Sequence, residues 1–428
     1  MVVRAARQTW RLILPPVRSV DSRDAPDAIN FRETPKKPEA TRRMPRDETD
    51  ARQGSAGPTN PTTVEKPMKL IPTAAIAVLG CTQLATAQGN ELNIYNWSDY
   101  IAEDTIANFE AETGISVNYD VFDANEVLEA KLLTGATGYD VVVPSIEFMA
   151  RQIIAGVFHE IPKDSLSNYG NLDPTILKVL DVNDPGNTYG VPYMMFTTGI
   201  GYNIDEVEAR IDADKIGSWD MIFDPDTAAK LADCGIALLD SPTEVLAPAL
   251  NYLGLDPNTE DKADLAKAEA LMMSIRPHIR YFNSSQYIND LANGDICVTL
   301  GYSGDVLQAR DRAAEAGQGI RVTYTIPREG AQIGFDMLAI PDDAPNMENA
   351  LKFVDYILRP EVIANITNYV YYANPNTAAT EFVEDAVRNE KGIYPPEAVK
   401  EKLFSLRPHS MRFDRALTRS WTTIKTGQ

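Results

Sequence analysis

From residue 92 onward, short apolar runs alternate with amphipathic stretches. Residues 92–95 are the first apolar run, 105–112 carry a helical period closed by Gly114, and 115–121 return to a strand pattern. A second helix over 124–133 is stopped by Gly135, and a buried-looking run over 139–143 ends at Pro144-Ser145. This βαβαβ order predicts a parallel sheet with helices on both faces, in which ligands sit beyond the carboxyl ends of the strands. Trp97, Ser98 and Ser145 all fall at such ends.

Residues 190–203 form an extended run that is predicted to carry the chain out of a first lobe. Further strands are predicted at 236–239, 279–282, 296–300 and 321–326, with another crossing strand at 334–341 and a helix over 348–358 that ends before Pro360. The expected fold class is therefore α/β, with two lobes joined by more than one crossing strand and able to hinge. The first lobe is assigned to 88–195 with 334–370, and the second to 196–333 with 371–428.

Composition changes this picture at the N-terminus. Residues 1–67 are rich in Pro and Arg, lack sustained periodicity after 10–14, and read as a non-structural upstream segment. Met68-Lys69, an apolar run over 70–80 and Ala85-Thr86-Ala87 have the layout of a secretory signal peptide over 68–87, with an apolar core too short to span a bilayer. Export to the periplasm follows. Lipoprotein anchoring at Cys81 is the alternative, although Leu79 suits that signal poorly. The whole chain of 428 residues has a net charge of −21. Residues 1–87 hold fourteen Lys or Arg against nine Asp or Glu, which leaves 26 basic and 52 acidic residues in the body. So acidic a body argues against nucleic acid as a partner and attracts small cations. After cleavage only Cys234 and Cys297 remain; in an oxidising compartment they are expected to form a disulfide, with two separate buried thiols as the alternative.

The candidate chemistry gathers where acids stand beside aromatic or Gly residues near strand ends. Tyr95-Asn96-Trp97-Ser98-Asp99-Tyr100 places a cation-attracting ring next to a carboxylate, although Ser98 or Asp99 can equally cap a helix. Glu244, in Ser241-Pro242-Thr243-Glu244, also matches a capping box, and Asp305 can simply favour a helix's first turn. Asp336 sits inside an apolar strand, where an unpaired carboxylate costs several kcal/mol to bury, so it needs a partner or water. Tyr100, Tyr302, Tyr371 and Tyr372 suit methylenes between charged amines. Catalytic readings fare worse: Gly301-Tyr302-Ser303-Gly304-Asp305 lacks the final glycine of a nucleophile elbow, and His159, His278 and His409 show no triad spacing. No phosphate loop, zinc pattern or EF-hand loop is present, so no cofactor or metal is expected.

With these stretches, Val143-Pro144-Ser145, Tyr287-Ile288-Asn289-Asp290-Leu291-Ala292-Asn293-Gly294-Asp295 and Tyr371-Tyr372-Ala373-Asn374 resemble, in the same order over 90–428, the periplasmic polyamine-binding proteins of ATP-binding-cassette importers, most closely the putrescine branch. The resemblance implies a type II periplasmic binding fold, no enzymatic activity, and delivery of putrescine or a related polyamine to membrane permease subunits by a monomer. It implies ligand contacts at Trp97, Ser98, Asp99, Tyr100, Ser145, Glu244, Tyr302, Asp305, Asp336 and Tyr372, and it supports the Cys234–Cys297 disulfide. In the putrescine branch Tyr302 is usually Trp and Gly334 a bulky aromatic, while Glu147 adds an acid near Ser145. These departures make Glu147 and Gly334 candidate specificity residues: a wider pocket and a further carboxylate would admit spermidine as well. Another cationic solute such as agmatine or a basic amino acid is the alternative ligand, and an extracytoplasmic hydrolase or sensor domain the alternative class.

Overall fold

A computed structural model of the protein describes residues 89–428. The expected upstream segment 1–67, the signal peptide 68–87 and Cys81 lie outside the described residues. Nine strands build one sheet: β1 (Glu91–Trp97), β2 (Ser116–Phe122), β3 (Val141–Val142), β4 (Gly190–Asn203), β5 (Ile236–Leu238), β6 (Ile279–Phe282), β7 (Val298–Tyr302), β8 (Val322–Thr325) and β9 (Gln332–Ala339). Their order is β2-β1-β3-β9-β4-β7-β5-β6, with β8 also on β4.

The parallel pairing expected from the βαβ pattern occurs on both flanks. β1 pairs in parallel with β2 and β3, and β5 with β6 and β7. Between the flanks run β9 and β4, which are antiparallel to each other and to their neighbours. β4 is shared: Gly190–Thr198 pairs with β9, and Thr198–Asn203 pairs with β7 and β8. All of its residues but Tyr202 are buried, which is why this segment reads as continuous rather than alternating in hydrophobicity. Pro192 is tolerated at a register shift, where a missing N–H breaks no regular ladder. The result is an α/β fold of two lobes joined by crossing strands.

Local signals set the helix ends that bring the strand ends to the centre. The helix Thr105–Thr113 closes at Gly114, which takes a left-handed conformation with φ 72° and donates its N–H to Glu110 O. The helices Asn125–Thr134 and Ile146–Ala155 follow β2 and β3, and Pro242–Tyr252, Gln286–Asn293 and Ser303–Ala316 follow β5, β6 and β7. The strand expected over 139–143 shrinks to Val141–Val142. Asp140 precedes it instead, where its carboxylate accepts the backbone N–H of Asn93 at 2.8 Å and of Asn346 at 2.6 Å.

Cys234 and Cys297 are joined as a disulfide that bridges the segments entering β5 and β7, with Cα atoms 5.4 Å apart and a sequence separation of 63. Closing a loop of that length restricts the unfolded chain. The double variant Cys234→Ser/Cys297→Ser should lose about 2–4 kcal/mol of stability; urea unfolding with an unshifted midpoint would show that the bridge contributes nothing.

Candidate functional site

The carboxyl ends of β1, β2 and β7 converge with the middle of β4 and β9 on one narrow cavity. It is lined by aromatic residues (Trp97, Tyr100, Phe122, Phe196, Tyr302 and Tyr372), by the acids Asp123, Asp305 and Asp336, and by Ser98, Ser145, Ser284 and Ile288. The Trp97 ring leans on Phe122, with centroids 4.6 Å apart, and meets the edge of Tyr302 at 6.1 Å. Its Nε1 donates to Val143 O at 2.9 Å, which fixes the ring plane.

Asp336 lies in the interior of β9 and is 4% exposed. Its Oδ1 accepts the Ser145 hydroxyl at 2.6 Å and its Oδ2 accepts the Tyr100 hydroxyl at 2.6 Å. Ser145 is itself held by Asn125, whose Nδ2 donates to its Oγ at 2.9 Å and whose Oδ1 accepts its N–H at 3.0 Å. Both donors to Asp336 are neutral. Burial therefore pushes this carboxyl up to about 7, against the lowering effect of its two hydrogen bonds.

Asp305 is built in the same way beyond the end of β7. It stands in the first turn of Ser303–Ala316, and its oxygens accept the hydroxyls of Tyr372 and Tyr287, each at 2.7 Å. Gly304 makes this possible, since a Cβ there would lie 2.2 Å from the Tyr372 ring. Burial pushes Asp305 up to about 7 as well, with Asp99 raising it and Arg312 lowering it. Among the described residues no Lys or Arg forms an ion pair with Asp305 or Asp336.

The remaining expected residues are placed differently. Asp99 does not line the cavity; it sits at φ 52°, half-exposed, with Oδ1 2.6 Å from Arg312, while its carbonyl accepts Gln308 Nε2 at 3.2 Å. Those partners lie on Ser303–Ala316, so Asp99 ties the turn after β1 to the helix after β7. Glu244 also lies outside the lining and is buried, accepting Thr198 Oγ1 at 2.8 Å and Gln332 Nε2 at 3.0 Å. Half of its capping box forms: Ser241 Oγ accepts the Glu244 N–H at 3.4 Å, while the Glu244 carboxylate turns away to Thr198 and Gln332. Burial pushes Glu244 up to about 7. Glu147 is buried at the second residue of Ile146–Ala155, outside the lining. Tyr371 turns its hydroxyl to Asp311 and is likewise outside.

Gly334 does not widen the cavity as expected. It is the cross-strand partner of Phe196, and a Cβ at Gly334 would lie 2.2 Å from Phe196 Cζ. The Phe196 ring fills that space and packs edge-on to Tyr302 at 5.4 Å. Sequence reasoning did not single out Phe196, because one ring inside a fully buried strand looks like core. It also passed over Phe122 and Asp123, which the strand-end rule applied to β2 would have found, and over Ser284, just past β6. Asp123 accepts the Ser98 hydroxyl.

The chain belongs to the bacterial extracellular solute-binding proteins, whose family model matches residues 104–393. It is 53% identical to the putrescine-binding periplasmic protein PotF of Escherichia coli (strain K12), over 80% of this chain and 93% of that one. It is 52% identical to the putrescine-binding periplasmic protein SpuD of Pseudomonas aeruginosa (strain UCBPP-PA14), over 83% of this chain and 97% of that one. Among solved structures, a putative spermidine/putrescine ABC transporter from Listeria monocytogenes matches 79% of this chain and 100% of its own, with a TM-score of 0.71 and 29% identity. These relatives are transport proteins that bind solutes, not enzymes.

Because Phe196 occupies the space beside Gly334, Gly334→Ala should destabilise the protein by about 1–3 kcal/mol through overpacking. On a Phe196→Ala background the same glycine change should cost little in the same thermal unfolding assay, and additive losses would show that the two positions do not share a space.

Proposed function

We propose that this protein captures putrescine or a related polyamine in the cleft between its lobes and presents the closed complex to the permease subunits of an ABC importer. The observation that carries this reading is a pair of buried carboxylates, Asp305 and Asp336, that approach one aromatic cavity from opposite lobes with only neutral donors around them. Each ammonium of a diamine supplies the missing charge, and the rings of Trp97, Phe196 and Tyr302 enclose the methylenes between. The other contacts assigned are Ser98, Tyr100, Ser145 and Tyr372 in the lining, with Asp99 and Glu244 acting from the rim and from behind. The lobes divide at 88–195 with 334–370 and 196–333 with 371–428. The mature protein works as a monomer in the periplasm after removal of residues 68–87. Among the described residues no helix is long and apolar enough to cross a membrane.

Isothermal titration with putrescine, cadaverine, spermidine, spermine and agmatine tests the reading, and failure of all five to bind defeats it. Asp336→Asn should weaken binding by about 1.5–3 kcal/mol, the range for a hydrogen bond to a charged group; unchanged affinity in a folded variant would remove Asp336 from the site.

The pH dependence has a definite sign. Burial raises Asp305, Asp336 and Glu244 to about 7, so the empty folded state holds protons that the unfolded chain has released between the ordinary carboxylate range and pH 7. Stability of the empty protein therefore falls as pH rises through that window. Binding runs the other way, since a cation needs the ionised carboxylates. Putrescine affinity should fall about tenfold or more between pH 7.5 and pH 6, measured by titration calorimetry at constant ionic strength; a flat profile contradicts the assignment.

A further inference from the structure

Fourteen arginines lie among the described residues, and ten of them donate to a carboxylate, a side-chain amide or a backbone carbonyl of the protein. The four whose guanidinium groups make no such bond among the described residues are Arg407, Arg412, Arg415 and Arg419. They fall in one stretch of thirteen residues and are all exposed. In a body with 52 acidic and 26 basic residues, carboxylates outnumber cations two to one, so a group of unpaired guanidinium ions runs against the composition.

Three of the four stand on the C-terminal helix Met411–Thr426. Phe413, Ala416, Leu417, Ser420, Trp421 and Ile424 form its buried face. Arg412, Arg415 and Arg419 line up on the opposite face, at the i, i+3 and i+7 spacing that keeps side chains in one row. The charges that have partners stay off this row: Lys425 pairs with Asp240, and Asp414 turns to Arg151, 3.5 Å away. The shallow groove shared by Arg415 and Arg419 holds no carboxylate, and the one beside it holds Lys262 and Glu269. Thr418, Thr422 and Thr426 donate their hydroxyls back to helix carbonyls, which leaves the guanidinium groups as the free donors of the face. Met411, 78% exposed, adds an apolar side chain beside Arg412.

The buried face of the helix fixes where this row points. Trp421 Nε1 donates to Asp240 Oδ1 at 3.0 Å, and the Trp421 ring meets Phe282 edge-on at 5.2 Å. Asp240 lies just past β5 and Phe282 ends β6; β5 runs parallel to both β6 and β7. Tyr302, at the end of β7, is a wall of the aromatic cavity. The helix therefore covers the edge of the sheet at which the cavity forms, with its basic row on the outside.

We propose that Arg412, Arg415 and Arg419, with Arg407 beside them, form a docking face for an anionic phospholipid surface, onto which the protein settles with the cavity edge of its sheet toward the bilayer. This goes beyond polyamine binding and does not depend on it. An open row of guanidinium groups matches a plane of phosphates, each of which a guanidinium can meet with two parallel N–H donors, and Met411 enters the headgroup boundary. The acidic remainder of the body is repelled by such a surface, but screening confines that repulsion to about 8 Å at physiological ionic strength, so the residues in contact decide the outcome.

Co-sedimentation of the full chain with vesicles tests the docking face, without added polyamine, which would itself coat the lipid. The chain should pellet with vesicles of phosphatidylglycerol mixed into phosphatidylcholine and not with phosphatidylcholine alone, and salt raised from about 0.05 to about 0.5 M should release it. Arg412→Gln/Arg415→Gln/Arg419→Gln should weaken partitioning about a hundredfold, the effect of three cations at a membrane surface, with putrescine affinity unchanged. Arg412→Lys/Arg415→Lys/Arg419→Lys should keep most of the binding. Failure of the unsubstituted chain to bind the mixed vesicles, or equal binding to phosphatidylcholine, overturns the docking face whether or not the variants fold. Unchanged partitioning of the folded Gln variant overturns it too, and so does capture of soluble poly-glutamate in place of the vesicles, which assigns the face to an acidic protein. Putrescine binding measured on the same samples stands or falls separately.

Discussion

A pair of carboxyl groups buried without a counter-cation is the constraint on which the centre of this protein depends. Water would solvate the ionised forms of Asp305 and Asp336 far better than tyrosine and serine hydroxyls do, so a deficit of charge compensation remains in the empty site, which holds protons on them up to about pH 7. The surrounding architecture makes that deficit tolerable. Ser145 is held by Asn125, Trp97 by Val143, and Tyr372 is admitted by Gly304, so each donor is in place before a ligand arrives. Preorganisation of this kind moves the cost of ordering polar groups from the binding step to folding. The deficit is made good only by a molecule that brings positive charge and donors together, which is how stability given up in the fold becomes selectivity for amines.

Much of the frame was legible from the chain. The βαβ order, the run 190–203 as a crossing strand, Gly114 as a helix stop and the Cys234–Cys297 bridge follow from period, punctuation and redox context, and the structure has each of them. Seven of the ligand contacts implied by the resemblance line the cavity together with Tyr302, which the resemblance also implied. What the sequence left hidden depends on register. Phe196 looked like core because nothing in one strand says which residue of another faces it; only the pairing of β4 on β9 sets it opposite Gly334. Asp99 and Glu244 had the right residue type in the right neighbourhood, but their directions are decided by partners more than eighty residues away in sequence, Arg312 and Gln332. Asp140 shows the same limit on a smaller scale. A run of valines preceded by an acid reads as one strand until the acid finds two backbone N–H groups to accept.

The two lobes contribute unlike things to the site. β1 and β2 bring rings and small hydroxyls on a parallel sheet edge, whereas the segment after β7 brings Asp305 on a helix start, where the helix dipole favours an anion. Asp99 and Arg312 meet at the rim, exposed enough that their attraction is worth only about 0.2–1 kcal/mol.

β4 also limits how the molecule can move and how it can be divided. A buried strand of 14 residues that lends its backbone to both halves is common property, and neither half owns a complete sheet without it. The halves cannot slide past one another without breaking two ladders, which leaves bending and twisting of the β4–β9 ribbon as the soft coordinate. The same sharing removes any clean seam for truncation: a fragment ending near Thr198 would expose the open edge of a sheet in place of a finished domain. Opening and unfolding are thus separated by the continuity of one piece of backbone.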